Sequence, residues 1–199
     1  MPKATFLNLP EERRNQIERV LIELLSEEEP SRVTVKQIID RVDFSRAAFY
    51  KYFIDLGDAI NYVTRIATNF VHKAIMREIT TTGDFFLGSR NYLAHVADYA
   101  PGSREQRLII VLLNGGNSVL FKRTLSAQNE ELVQHFLHLL QQNQINIEDQ
   151  NEAISFLYLM MSLVIDALFD YTSNHWTKSE LLADFDLRTK WLLHGILPQ

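Results

Sequence analysis

The chain has 199 residues, 46% of them hydrophobic and 11% aromatic, which is enough for one large domain or for a small domain joined to a larger one. It has a formal net charge of −5 and no cysteine, which excludes disulfides, cysteine catalysis and thiolate metal sites. No apolar signal core is found near residue 1, and the longest apolar run, residues 156–169, is interrupted by Ser162 and Asp166 and looks too short to span a bilayer. We therefore expect a soluble cytoplasmic protein that does not enter the membrane.

Helical periodicity dominates the sequence, and it shows no convincing pattern of β-strands. The first helix is predicted from Glu11 to Leu25. Thr34, with Gln37 three residues later, has the spacing of a capping box that starts a second, short helix. Ser45 has the character of the N-cap of a third helix, over residues 46–53. Two short helices joined by a tight turn are the layout of a helix-turn-helix.

The third helix combines an aromatic inner face with a small, basic outer face. Phe49 and Phe53 are four residues apart and take the inner positions. Small residues allow the start of a helix to enter a DNA groove, while cations and phenols bind phosphates and base edges. Residues 31–53 contain five cations and two anions, a local charge of +3, so the rest of the chain carries −8. The outward positions are occupied by Arg46, Ala47, Tyr50, Lys51 and Tyr52, although the two tyrosines could instead pack inside a small domain.

Residues 11–62 resemble the DNA-binding domain of the tetracycline-repressor (TetR) family. The resemblance rests on the long first helix, the start at Thr34, the run FSRAAFYKYF at 44–53, and Asp55 at the opening of the next helix. Asp43 stands at the turn position where glycine is usual in the family, and Asp tolerates a left-handed backbone better than most residues. Leu56 replaces a common lysine and removes one expected phosphate contact.

The resemblance implies an all-α fold with two parts. Residues 1–55 are expected to form a three-helix, helix-turn-helix DNA-binding domain, and residues 56–199 a helical bundle for ligand binding and dimerisation. The residues that it implies in DNA binding are Thr34, Lys36, Ser45, Arg46, Ala47, Tyr50, Lys51 and Tyr52.

Periodicity predicts a long fourth helix from about Leu56 to Ile79, followed by helices at about 85–99, 103–125, 129–143, 151–172 and 178–196. The helix at 151–172 is apolar on nearly every face, so it must be buried on all sides. We expect one side to contact a second copy of the chain, together with the last helix; a position at the centre of the monomer is the alternative. The expected dimer contacts are Tyr158, Met161, Ile165, Leu168, Phe185, Leu192 and Ile196.

Signs of catalysis are lacking. The sequence has no glycine-rich phosphate loop and no nucleophile elbow. His135 and His138 share a helix face, but no carboxylate pair completes a metal site around them. We therefore expect no enzymatic activity, no metal and no cofactor.

The favoured function is a homodimeric transcriptional regulator, in particular a repressor, that binds a palindromic operator in double-stranded DNA. The resemblance implies that a small apolar or aromatic effector releases it. Candidate effector contacts are Phe70, Tyr92, His95, Tyr99, Phe121, Phe156 and Met160, for which ordinary core packing is an equally good interpretation. The alternative function is a helical interaction or co-regulator protein of the same fold that has lost direct operator binding. Three features favour this alternative: Leu56, Asp43 and the negative charge of the residues outside 31–53.

Overall fold

The structure, a computed structural model, describes residues 1–115, 130–147 and 149–195. Within these residues the chain forms helices and no strands, which confirms the all-α class. The helices are α1 (Ala4–Leu7), α2 (Glu11–Glu27), α3 (Val35–Val42), α4 (Arg46–Tyr52), α5 (Leu56–Thr82), α6 (Phe85–Ala97), α7 (Arg104–Asn114), α8 (Glu130–Gln142), α9 (Gln150–Ser173) and α10 (Lys178–His194).

The chain divides into two compact units, and the division falls inside helix α5. The first unit contains Met1–Val71 and the described residues from Ala100 onward. The second contains His72–Tyr99 and the described residues from 130 onward. The functional boundary expected between residues 55 and 56 stays a prediction.

The first unit is built around helix α2, which packs against α3 and α7, while α1 packs against α4. Helix α2 buries a continuous apolar stripe because its hydrophobic residues recur every three or four positions. Helices α3 and α4 add buried apolar side chains to this core. The fully buried side chains include Ile17, Leu24, Ile38, Val42, Phe49 and Phe53.

Helix α5 begins at an aspartate cap, as the sequence predicted. The Oδ1 atom of Asp55 accepts the N–H of Asp58 at 2.7 Å, and the Oδ2 atom of Asp58 accepts the N–H of Ile54 at 3.1 Å. These bonds fix the turn between α4 and α5. From Asp58 to Thr82 the helix contains neither glycine nor proline, so nothing in its sequence favours a kink.

The second unit has an aromatic and aliphatic core at the meeting of α5, α6, α8 and α9. The ring of Phe85 lies 5.4 Å from that of Phe136 and 5.9 Å from that of Phe156, centroid to centroid. Helix α6 approaches α5 closely at Gly88, where a Cβ atom would lie 2.5 Å from the Cα of Ile79. Only glycine allows this approach.

Ion pairs join the helices at the edge of the second unit. Arg188 of α10 contacts Asp170 of α9, and its Nε lies 2.6 Å from Asp184. Arg90 of α6 pairs with Asp186 of α10 at 2.7 Å. These pairs are half-exposed, so they orient the helices more than they stabilise them.

Helix α9 is longer than the apolar run considered in the sequence. It has 24 residues and is apolar over most of its length, so by length and composition it could cross a membrane. The expectation that this segment is too short is therefore corrected, because the helix extends beyond residues 156–169 at both ends. Core helices of soluble proteins meet the same criterion, so this property alone does not place α9 in a bilayer.

Candidate nucleic-acid interface

Helix α3 starts and stops where the sequence predicted. The hydroxyl of Thr34 accepts the N–H of Gln37 at 3.3 Å, and the Oε1 of Gln37 accepts the N–H of Thr34 at 2.7 Å, which completes the capping box. Asp43 ends the helix with φ 57° and ψ 63°, in the left-handed region. The aspartate thus makes the turn for which glycine is the usual residue.

Helix α4 follows directly, capped by Ser45, whose hydroxyl accepts the N–H of Ala48 at 3.1 Å. Phe49 and Phe53 are completely buried, which fixes the inner face of the helix and its rotation about its own axis. The outer face is exposed, as predicted, at Arg46, Ala47, Tyr50 and Lys51.

Arg46 and Tyr50 form a pair on this outer face. The guanidinium carbon of Arg46 lies 5.6 Å from the centroid of the Tyr50 ring, and its Nη2 atom donates to the phenol oxygen at 3.4 Å. The Tyr50 ring in turn packs edge-on against the buried Phe49, with centroids 5.3 Å apart. A cation over a ring loses some of its freedom. The structure therefore holds the arginine on the outer face of α4.

Tyr52 differs from its predicted outward position. It is half-buried, and its ring lies 6.1 Å from the rings of both Phe6 and Phe44. The physical reason is that α1, which the sequence analysis did not predict, covers this end of α4. Packing inside the small domain, the alternative left open for the tyrosines, is thus what the ring of Tyr52 does.

The exposed cations around α4 differ in their partners. Arg41 is paired with Glu27 at 2.8 Å. In the part of the chain that the structure describes, Lys36, Arg46 and Lys51 enter no ion pair. Three exposed positive charges without an internal counter-ion are therefore available to an anionic partner.

Glu27 links the helix-turn-helix to the rest of the first unit. Its Oε2 atom binds Arg41 of α3 at 2.8 Å, and its Oε1 atom binds Arg107 of α7 at 3.2 Å. The hydrogen bond from Arg41, followed by that from Arg107, lowers the pKa of the Glu27 carboxyl below its ordinary value. The neighbouring Glu28 accepts the amide N–H of Gln37 at 2.9 Å, which adds a second tie between α2 and α3.

The predicted effector contacts that the structure describes differ in burial and in their partners. Met160 is buried and Phe156 is packed against the core around Phe85. Tyr92 is also buried, and its hydroxyl has no hydrogen-bond partner among the residues that the structure describes. Burial strongly raises the pKa of the Tyr92 phenol, so it stays neutral. His95 is exposed, with Nδ1 3.4 Å from Glu78 Oε1.

The other predicted effector contacts are Phe70, Tyr99 and Phe121. Phe70 and Tyr99 are half-buried, and Phe121 lies outside the described residues. Among the described residues, no group of three or more His, Cys, Asp or Glu side chains could hold a metal ion.

The predicted dimer contacts divide by exposure. Leu168, Phe185 and Ile165 are buried within the chain, and Tyr158 and Met161 are half-buried. Leu192 is exposed, and Ile196 lies outside the described residues. The apolar pattern of α9 does not show which of its faces the chain's own core covers. The expected contacts stay a prediction, and the other exposed large apolar side chains on α9 and α10 are Leu159, Phe169, Leu187, Trp191 and Leu193.

We predict that Glu27→Gln lowers the free energy of unfolding near pH 7 and that the difference from the wild type narrows in acid. Because the folded-state pKa of Glu27 is depressed, its contribution is complete above the ordinary value of 4.5 and is lost as pH falls through the lowered pKa. Urea unfolding at several pH values between about 7 and 4 measures this. A wild-type advantage that stays constant or grows toward acid would contradict the assigned pairs.

Comparison with known proteins identifies the C-terminal part of the chain. The family model described as "Tetracyclin repressor-like, C-terminal domain" matches residues 84–196, more than half of the chain. No curated protein matches in sequence.

Two crystal structures of TetR-family regulators resemble the chain at low identity. A putative TetR-family transcriptional regulator from Syntrophomonas wolfei str. Goettingen has a TM-score of 0.60 and 17% identity, covering 94% of this chain and 97% of that one. A TetR family transcriptional regulator from Chloroflexus aurantiacus J-10-fl has a TM-score of 0.48 and 20% identity, covering 97% of this chain and 91% of that one. At these identities the first supports the fold alone. The family model decides membership: this chain belongs to the tetracycline-repressor (TetR) family of transcriptional regulators.

Proposed function

We propose that the protein is a repressor that binds a palindromic operator as a homodimer and is released by a small effector. The observation that carries the DNA-binding part is the outer face of α4. It is exposed, it begins at a serine cap, and it presents Arg46 and Lys51, which form no ion pair with any residue that the structure describes.

The start of α4 suits entry into the major groove. Ala47 is exposed and small, so the helix backbone can come close to the base edges. Arg46, one position earlier, has the donors that bind guanine O6 and N7 together. Lys36 on α3 and Lys51 at the end of α4 are suited to phosphates on either side. Thr34 and Ser45 are exposed beside them, and their hydroxyls already cap the two helices.

The Arg46–Tyr50 pair supports the reading role of the arginine. A free arginine loses much rotamer entropy when it binds a base, and this loss weakens affinity. In the structure the guanidinium is already held over Tyr50, which rests on the buried Phe49. Folding therefore already restricts the rotamers of Arg46, so less side-chain entropy is lost when it binds a base.

Dimerisation through α9 and α10 would account for their exposed apolar surface. Phe169 is 55% exposed and Trp191 is 50% exposed, although both are large and apolar. Water-soluble monomers rarely present several such side chains on neighbouring helices. In a dimer with a two-fold axis, the same face of a second copy would pack against these side chains and cover them. Two reading helices related by that axis select a palindrome, with half-sites about 34–36 Å apart or a multiple of this.

Effector binding would take place in the second unit and use the hydroxyl of Tyr92, which has no partner within residues 1–115, 130–147 and 149–195. A buried hydroxyl without a partner destabilises the free protein by about 1–3 kcal/mol, and a ligand that supplies the partner recovers this. We propose an apolar or aromatic molecule with one polar group. Because α5 contributes to both units, it is the candidate element for transmitting ligand binding to the reading helix.

If a ligand lowers the affinity of the protein for DNA, DNA must lower the affinity of the protein for the ligand by the same factor. A coupling of about 1–3 kcal/mol changes each affinity roughly 5- to 150-fold. We expect a ligand that releases DNA to bind the free protein more tightly than the DNA complex by the same factor, measured by calorimetry. Equal ligand affinities for both forms would contradict the proposed release.

We place the protein in the cytoplasm and assign it no catalytic role. A second candidate, a co-regulator of the same fold without direct operator binding, is favoured by Leu56, which is half-buried and supplies no cation at the start of α5. The two functions differ in one measurable property: direct operator binding weakens steeply as salt rises.

For DNA reading we predict that Arg46→Ala weakens operator binding by about 1–3 kcal/mol if the arginine reads a guanine, and relaxes selectivity at that base pair. Tyr50→Phe, which removes the hydroxyl that accepts from Arg46, should weaken binding less. Fluorescence anisotropy with labelled operator measures both. Lys73→Ala, which removes an exposed cation of α5 in the second unit, is the control. Equal affinity and selectivity in all variants would exclude α4 as the reading helix.

For assembly we predict that Phe169→Glu turns the dimer into a folded monomer, because an unpaired charge at a buried interface is strongly unfavourable. The side chain is exposed within one chain, so the monomer core should tolerate the change. Sedimentation at micromolar concentration reports the mass, and circular dichroism reports the fold. Leu87→Glu, at a similarly exposed leucine on α6, is the matched control. A wild-type monomer, or a Phe169→Glu dimer, would contradict the interface.

A further inference from the structure

The end of the reading helix is covered by residues from the beginning of the chain. Helix α4 has only seven residues, and a helix this short does not hold its shape alone in water. The last four carbonyls of any helix lack partners inside it. In α4 these are the carbonyls of residues 49–52, and each has a partner here.

Three of the four carbonyls are bound by Lys3 and Thr5. The backbone N–H of Lys3 donates to the carbonyl of Tyr52 at 2.9 Å. The ammonium of Lys3 donates to the carbonyl of Tyr50 at 2.6 Å, and the hydroxyl of Thr5 donates to that of Lys51. The fourth, the carbonyl of Phe49, accepts the N–H of Phe53 at 2.9 Å.

The segment that supplies these donors is itself anchored. Phe6 is completely buried, and its ring lies 4.9 Å from that of Phe53 and 5.2 Å from that of Tyr62. The carbonyl of Leu7 accepts a hydrogen bond from Arg14 of α2 at 3.1 Å. The donors of Lys3 and Thr5 are thus held in place from two sides.

We propose that Lys3, Thr5 and Phe6 position α4 for DNA reading by capping its C-terminal end. The ammonium of Lys3 also carries a positive charge at the end of the helix where the helix dipole is negative, which stabilises it further. The inference rests on the proposed DNA binding. It differs from a direct DNA contact, because in this role the Lys3 ammonium is directed to a protein carbonyl and not to a phosphate.

The test combines Lys3→Met with Thr5→Val in one chain, which removes two donors and keeps their approximate shapes. Hydrogen–deuterium exchange of the amides of residues 50–53, without DNA, should accelerate about fivefold or more. Thr5→Ser, which keeps the hydroxyl, should exchange like the wild type. Lys73→Met and Thr81→Val are the controls, the second because its hydroxyl bonds within α5 to the carbonyl of Arg77.

Operator affinity gives the second measurement. We expect the double variant to bind operator about fivefold more weakly or worse, with the wild-type dependence on salt. Unchanged exchange at residues 50–53 would overturn the cap. A salt slope reduced by about one would also overturn it, because Lys3 would then be a phosphate contact. Thr5→Val alone replaces the double variant if the latter does not fold.

The two proposals fail in different ways. A wild-type protein that binds no operator would refute the proposed function and the reading role of the segment. The exchange experiment, which contains no DNA, would still decide whether Lys3 and Thr5 cap the helix.

Discussion

The burial of Phe49 and Phe53 is the constraint on which the helix-turn-helix depends. Helix α4 is too short to be stable by itself, so its position comes from these two completely buried rings. Once they are fixed, the rotation of the helix is fixed too, and Arg46, Ala47 and Lys51 must face outward. The same burial supports Tyr50, which rests on Phe49 and in turn orients Arg46. The chemistry of the outer face is thus determined by packing on the inner one.

Polar contacts complete this arrangement at its borders. Glu27 holds Arg41 on one side and Arg107 on the other, so α3 and α7 share one carboxylate of α2. Such exposed pairs contribute little stability individually, but they restrict how α3 can move relative to α2. They also give Arg41 a counter-ion, whereas Arg46 and Lys51 of α4 form no ion pair with any described residue.

The sequence allowed much of this architecture to be predicted because local signals decided it. The capping box at Thr34, the cap at Ser45 and the left-handed turn at Asp43 all depend on residues within a few positions of one another. Helix α1 could not be predicted, since four residues show no periodicity and its stability comes from Phe6 packing on distant residues. For the same reason Tyr52 was placed on the outer face. On α9, the sequence shows apolar residues all round but not which of them the chain's own core covers. The exposure of Phe169 therefore required the structure.

The central claim is that a dimer of this chain reads DNA with helix α4. Selection of bound fragments from a random pool of double-stranded DNA, followed by sequencing, tests it most directly. We expect enrichment of one inverted repeat whose half-sites are separated by about one helical turn of DNA or by a multiple of that distance. We also expect that binding to the enriched sequence weakens steeply with salt. A pool that remains random after repeated rounds, or enrichment of a single unpaired site, would contradict the claim.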